Sequence, residues 1–493
     1  MLSVRPLMPI TQLLFLLILC GGIDSCLTRS WAGAIAAGPL AHRFDLTLSS
    51  GYRTEALGPL LSYERKEFQF QWAMPPLFSY THDRDTDAAE FDFAYPLLSY
   101  DRFGTEYRFQ FFQLLSFSGG RNQQELPTER FTLFPFYFQQ RSSDPSQYYT
   151  AFLPFYGHLK NRLFRDEINF IMLPLYVQTR KKDVVTDNYL FPFYHLRHGD
   201  ALNGWQLWPI VGREHKDPTI RTNDFGEAAT VGGHDKFFAL WPLFFNNRVG
   251  IGTENPQTQR VLLPLYSLQR SPQRNSATFV WPFGFTSTED REKKYHEYDA
   301  PWPLIVFARG EGKTVNRFWP LFGQARNSIL QSDFYLWPLY KYNRAVAEPL
   351  DRERTRILFF LYSDLTEKNT VTGAAFQRTD LWPLFTSRRD FDGNERLQVL
   401  ALLEPFVPNN KSIERNYSPV WSLWRSEKHV KTGATSQSLF WNLYRRDTTP
   451  ATKKCSLLFG LFQYQSGPDG KHWRLFYIPV GKAQSAQPTQ PKS

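Results

Sequence analysis

Apolar and polar positions along this chain come in blocks. Short phrases of large apolar residues alternate with polar stretches rich in Gly, Asp, Asn and Ser. The apolar phrase is built around a proline, as in Leu336-Trp337-Pro338-Leu339-Tyr340, Phe318-Trp319-Pro320-Leu321-Phe322, Leu381-Trp382-Pro383-Leu384-Phe385 and Leu133-Phe134-Pro135-Phe136-Tyr137. It recurs in 16 units, at Pro59, Pro76, Pro96, Pro135, Pro154, Pro174, Pro192, Pro209, Pro242, Pro264, Pro282, Pro303, Pro320, Pro338, Pro383 and Pro405. Copies without the proline centre on Leu114, Phe360, Ser422, Asn442, Gly460 and Ile478, which makes 22. Neighbouring centres are mostly 17 to 23 residues apart, with one step of 33 between Pro209 and Pro242. A repeat on this scale decides the architecture before any single residue does.

The intervening stretches carry hairpin signals: Asp392-Gly393-Asn394, Gly467-Pro468-Asp469-Gly470, Gly310-Glu311-Gly312-Lys313 and Ser271-Pro272-Gln273-Arg274. Each unit therefore predicts one strand of roughly 10–12 residues plus a turn, joined antiparallel to the next. The uneven period argues against a parallel solenoid. About 20 residues per strand is what an up-and-down transmembrane barrel needs. The expectation is an all-β, antiparallel up-and-down repeat over 44–480, closed as a transmembrane β-barrel of about 22 strands, with no long helix. The gap from Glu214 to Lys236 carries no phrase and predicts a long loop over one end. Two features pull against the barrel. A proline in mid-strand removes a ladder hydrogen bond, so each strand would need a bulge or kink there. The phrase is also apolar on both faces, which suggests a filled lumen, an occluding loop, or a soluble propeller-like sheet covered on both sides.

A basic residue stands six positions after the proline in twelve units: Arg65, Arg102, Arg141, Lys160, Arg180, Arg248, Arg270, Arg309, Arg326, Arg344, Arg389 and Lys411. His82, His198 and His215 take the place in three more, and Thr288 is the exception. With Lys, Arg and His making 67 of 493 residues, chance would supply only about two of the 16, so the register is real. In a one-strand-per-unit barrel, strand reversal would spread this ladder over both rims, as a contact for anions or lipid phosphates. The competing view is a set of solvated strand ends that discourage aggregation.

Composition agrees with strands: 17% aromatic residues and 34 prolines exclude a mainly helical chain. The formal charge of +10 suits an anionic surface, but it is spread through the repeat without a lysine-rich patch, which disfavours nucleic acid. Arg5, the apolar run Leu13–Leu19 and small residues near Ala36 read as an export signal over residues 1–36; lipidation at Cys20 or Cys26 is a lesser alternative. Residues 482–493 form a polar tail expected to be disordered. After cleavage only Cys455 remains, which excludes an internal disulfide.

The Leu-Trp-Pro-Leu-Phe/Tyr phrase with its following arginine resembles uncharacterised tandem-repeat envelope proteins of Gram-negative bacteria, outer-membrane β-barrel-like in character. Val420-Trp421-Ser422-Leu423-Trp424, Phe440-Trp441-Asn442-Leu443-Tyr444 and Leu458-Phe459-Gly460-Leu461-Phe462 look like C-terminal variants of the same pattern. The resemblance covers nearly all of 50–480 and implies export and a β-repeat; it carries no activity.

No catalytic constellation, cofactor motif or metal site stands out. Gly310–Thr314 lacks the first glycine of a phosphate loop. His195 and His198 are three apart on a strand and point to opposite faces. Asp83, Asp85 and Asp87 lack the glycine and terminal glutamate of a calcium loop. The tryptophans before proline (Trp208, Trp241, Trp281, Trp302, Trp319, Trp337 and Trp382) read as packing or lipid-contact residues. The expectation is therefore a non-enzymatic outer-membrane protein with a structural or pore role, touching outer-membrane lipids or lipopolysaccharide. Its rival is a soluble or peripheral envelope protein that binds a protein partner or a glycan.

Overall fold

The computed structural model describes residues 40–480, apart from 122–126, 223–225, 227 and 469. The export signal, Cys20, Cys26 and the polar tail lie outside the described residues. Forty-three strands form one antiparallel sheet, from β1 (His42–Asp45) to β45 (Ile478–Val480), each paired with its neighbours along the chain. Among the described residues only β20 (Thr219–Thr222) and β21 (Ala228–Val231) stand apart, as a two-stranded sheet. The all-β, up-and-down expectation holds.

The strand count does not, and the reason lies in the proline. The phrase is not the middle of a strand; it is a turn. β32 (Leu330–Tyr335) and β33 (Tyr340–Ala347) pair on either side of Leu336–Leu339, a turn closed by the Leu339 N–H donating to the Leu336 carbonyl at 2.7 Å. Every phrase proline but Pro59 and Pro405 follows a cis peptide bond. Proline has no N–H to give a ladder, and at a turn none is demanded. Its carbonyl is still used: Trp337 N–H donates to Pro320 O at 2.7 Å, Trp281 to Pro264 at 2.8 Å, and Trp241 to Pro209 at 2.7 Å. Successive turns thus bond to one another as successive strands do. Each unit holds two strands and two turns, one at the phrase and one at the polar stretch. The strands are three to eight residues long. All four polar hairpin signals join paired strands as expected.

Because side chains alternate along a strand, the sheet has two distinct faces. One carries Ser62, Ala73, Ser79 and Asp92, cross-strand neighbours that are all buried. We call it the inner face. The other carries Tyr63, Trp72, Tyr80, Phe91 and Tyr100 at the next level.

The sheet curls until its two ends meet across the inner face, though they are not joined by strand pairing. Asn442 Nδ2 donates to Glu55, Gln463 lies 3.4 Å from His42, and the Arg445 guanidinium sits 3.6 Å over the Phe44 ring. Between β38 (Glu395–Val399) and β39 (Trp424–His429) the chain departs from the repeat. Residues 400–423 fold inward and carry two short helices, α1 (Lys411–Asn416) and α2 (Ser418–Trp421). Asn410 caps α1 by accepting from the Ile413 N–H at 3.0 Å. This segment lies across part of the inner face, where Arg415 and Asn416 reach Asp92. The 214–236 gap, expected as an open loop, instead holds the hairpin β20–β21; strand pairing absorbs most of its backbone polar groups.

Candidate membrane-facing edge

With two turns per unit, every proline turn but that of Pro405, which lies in the inward segment, falls on the same edge of the sheet, and the polar turns on the other. The outer-face position beside the proline turns is apolar or tyrosine in strand after strand. Phe93 pairs with Leu98, Ile171 with Tyr176, Tyr189 with Tyr194, Phe318 with Phe322, and Leu457 with Phe462. Among the described residues no charged side chain enters this row. The turns add Leu240, Leu243, Leu336 and Leu339, and the tryptophans add a lip on the inner side of the edge. Trp208 and Trp241 lie 5.6 Å apart between ring centroids, and Trp319 and Trp337 lie 5.9 Å apart. Large apolar side chains normally avoid water, yet Leu240 is 61% exposed, Ile171 54% and Leu336 55%. A contiguous apolar edge of this length marks an interaction surface.

The basic ladder also lies at one height. Arg326 is opposite Gln331, which is opposite Arg344; Lys160, Glu167 and Arg180 run across three strands in the same way, as do Arg248, Thr258 and Arg270. Arg65, Arg102, Arg141, Arg309 and Arg389 occupy the same row on their own strands. This corrects the expected two-rim distribution. The basic residues follow the proline turns, all on outgoing strands, so they form a single row on the outer face. They stand four residues beyond the apolar row, about 13 Å at 3.3 Å per residue. His82, His198 and His215 share the row. Thr288 misses it because Gly284 lengthens its turn by one residue, which puts Glu289 in the row instead. A Cβ on Gly284 would fall 1.8 Å from the Phe279 carbonyl oxygen, so only glycine fits there. Lys411 is not part of the row; it is the first residue of α1.

Members of the row differ in their partners. Arg102 pairs with Asp87 at 2.9 Å and Arg180 with Glu167 at 2.8 Å, while Arg344 grips Asp351 with two bonds of 3.0 and 2.6 Å. Arg141 and Arg309 donate to backbone carbonyls, and Lys160 to the carbonyl of Ser146. Arg65, Arg248, Arg270, Arg326 and Arg389 are exposed and have no acidic partner among the described residues.

Other sequence candidates settle into structural roles. Asp83 accepts from the Asp85 and Thr86 N–H groups and stabilises its own turn. His195 and His198 lie on opposite faces. Gly310–Thr314 is a hairpin connection.

What sequence reasoning missed is the interior. Arg415 of α1 donates to Glu90 and, at 3.0 Å, to Asp92, which is only 2% exposed. Asn416 donates to the same Asp92 oxygen at 3.0 Å. Burial pulls the Arg415 pKa down, but Glu90 and then Asp92 outweigh it and hold the group above its ordinary value. Ser418 and Trp421 donate to Glu404, and the indoles of Trp382 and Trp441 donate to the carbonyls of Leu402 and Val420, each at 3.1 Å. Beside this segment is a cavity of about 840 Å³, lined from both sheet ends by Arg53, Glu64, Arg396, Arg425 and Glu427 among others. The one available signal was Pro408-Asn409-Asn410 before Lys-Ser-Ile-Glu-Arg-Asn, a helix start inside a strand repeat.

Comparison with known proteins finds no family model and no curated protein that matches this chain.

Proposed function

We propose that this protein is a structural component of the outer membrane, a curled, barrel-like β-shell seated in one leaflet by its proline-turn edge. The observation that carries the reading is the uninterrupted apolar row along that edge, exposed together with its turns. Burying a large apolar side chain fully contributes about 1.5–3 kcal/mol, so even a handful in lipid outweighs the cost of immobilising the protein at a surface. The height of the strands sets the mode of attachment. A spanning strand needs about 9–11 residues, and these have three to eight. The apolar zone is correspondingly low, which supports shallow seating on one leaflet rather than a span through both.

A second reading, a pore, is favoured by the polar part of the inner face around Glu90 and Asp92 and by the charged cavity beside it. The inward segment 400–423 stands across that route, so the structural role is preferred.

Fractionation of cells followed by carbonate extraction tests the proposal. The protein should pellet with membranes and be released by detergent, and planar bilayers should show no conductance steps. Recovery in the soluble fraction overturns membrane seating; stable conductance steps favour the pore.

A further inference from the structure

The row of arginines above the apolar edge has a fixed relation to that edge, and the relation implies a lipid class. Three members, Arg65, Arg270 and Arg326, are exposed, without an acidic partner, and flanked in register by uncharged residues on both sides. Arg65 lies between Tyr52 and Phe70, Arg270 between Thr258 and Asn275, and Arg326 between Thr314 and Gln331. Their charge is not spent within the protein. All three point from the same face as the apolar row, about 13 Å from it. One leaflet contributes about half of the ~30 Å hydrocarbon core. The headgroup layer adds about 5–7 Å beyond it, so with the apolar row sunk about 7 Å below the acyl boundary the guanidinium groups reach the level of the headgroup phosphates.

We propose that this row makes the proline-turn edge selective for a leaflet of anionic phospholipid, Arg65, Arg270 and Arg326 binding headgroup phosphates directly. The inference rests on the membrane-seated reading above. Guanidinium suits the task because its planar fork takes two phosphate oxygens at once. The row also holds Asp45, Glu129, Glu167, Asp235, Glu289, Glu353 and Glu395, but none of them is a register neighbour of these three arginines. Glu167 is engaged with Arg180, Glu353 with Arg344, Asp235 with Arg213, Glu289 with Arg291, Glu395 with Lys428 and Asp45 with Lys454. The row being at one height matters most. Charges scattered over two rims would meet the membrane only in part, whereas a single level brings all of them within the ~8 Å screening length of the surface together.

The test uses sedimentation of the full chain with vesicles of phosphatidylcholine alone and of phosphatidylcholine mixed with phosphatidylglycerol, at low and high salt. Wild type should prefer the mixed vesicles, with a preference that salt weakens. Each arginine near an anionic surface is worth about fivefold in binding, so R65Q/R270Q/R326Q should lose roughly 100-fold of that preference while keeping its binding to phosphatidylcholine. The variant R102Q/R180Q/R344Q, whose arginines are already paired, should lose far less. Circular dichroism of both variants checks that the strands are intact. Equal loss in the two variants, or no loss in the first, overturns the headgroup inference. So does equal binding of wild type to both vesicle types, which leaves the membrane reading standing. Binding to neither vesicle type overturns the membrane reading and the inference with it.

Discussion

Two stretches of the same sheet handle their faces in opposite ways. From β3 (Leu61–Lys66) to β10 (Thr128–Leu133) the outer face is aromatic at its middle level, with Tyr63, Trp72, Tyr80, Phe91, Tyr100, Phe109, Phe117 and Phe131 in one line. The inner face is polar there. From β11 (Tyr137–Ser142) to β16 (Val184–Tyr189) the line continues as Gln139, Thr150, His158, Asn169, Gln178 and Asp187. Here the inner face is apolar instead, with Ala151, Leu159, Ile168, Phe170 and Val177 in one buried cluster. The turns, proline-bearing in all but 112–114, and the apolar edge row run through both stretches. Inner-face polarity therefore follows what each stretch faces. Part of the first, around Glu90 and Asp92, meets the inward segment and needs carboxylates for Arg415. The second packs its own hydrophobic core. Only the edge answers to a demand common to the whole sheet, which is why the membrane reading rests on the edge and not on either face.

The largest effects should come from striking each stretch at its own inner face. Arg415→Ala leaves buried Asp92 without its counter-charge, and Glu90 with only the exposed Lys411 at 3.9 Å, and should cost about 3–5 kcal/mol. Phe170, 4% exposed, should cost about as much when truncated, since Phe→Ala in a core runs to ~3–5 kcal/mol. Phe91→Ala, on the outer face of the first stretch, should cost under ~1 kcal/mol in stability. Urea denaturation of the three variants checks the order. If Phe91→Ala matched Phe170→Ala, the two stretches would not differ as described.

Next in size is a repeated device of the inner face. Gly157 lies opposite Phe170, Gly212 opposite Phe238, and Gly323 opposite Phe334. In each pair a Cβ on the glycine would come within 2.0 to 2.3 Å of the ring. The glycine makes room for the neighbour's ring to lie across its strand, so Gly157→Ala should cost about 1–3 kcal/mol by overpacking. Thermal melting of Gly157→Ala against Gly373→Ala, at an open turn, separates overpacking from backbone effects. Gly373 has φ +73 and nothing within 4 Å, so its loss reports the left-handed turn alone.

Much of this was legible in the sequence. The antiparallel meander, the hairpins at the polar stretches, and the shared register of proline and arginine all follow from turn chemistry and period. The error was to place Trp337-Pro338 at the centre of a strand. The same rule that made this awkward, proline's missing N–H, already pointed to a turn. Apolar composition hid it, because turns are expected to be polar; an apolar turn makes sense only if the edge meets something other than water. The interior was not legible, because Arg415 and Asp92 are more than three hundred residues apart and neither belongs to the repeat. The inversion of faces at β11 was readable in principle from the alternation in Gly157-His158-Leu159 and Asn169-Phe170, but the strand boundaries had to be right first.

The smallest expected effect measures how deep the edge goes. Asp187 sits on the outer face of the second stretch, two residues from the apolar row, and accepts from the Tyr176 hydroxyl and the Gln178 amide, each at 2.8 Å. At a water interface hydrogen bonds to a carboxylate are worth more than those to an amide. Asp187→Asn should then lower stability by ~1 kcal/mol, by the same amount with and without bound vesicles. In hydrocarbon the balance reverses, because an isolated charge is expensive there and the neutral amide is not. A variant that lost stability in buffer but gained affinity for vesicles would mean that the edge sinks past Asp187. The first stretch, with aromatic rings at that level, tolerates such depth, and the second does not. Equal behaviour in both conditions places the waterline no higher than Asp187, about 7 Å below the arginines.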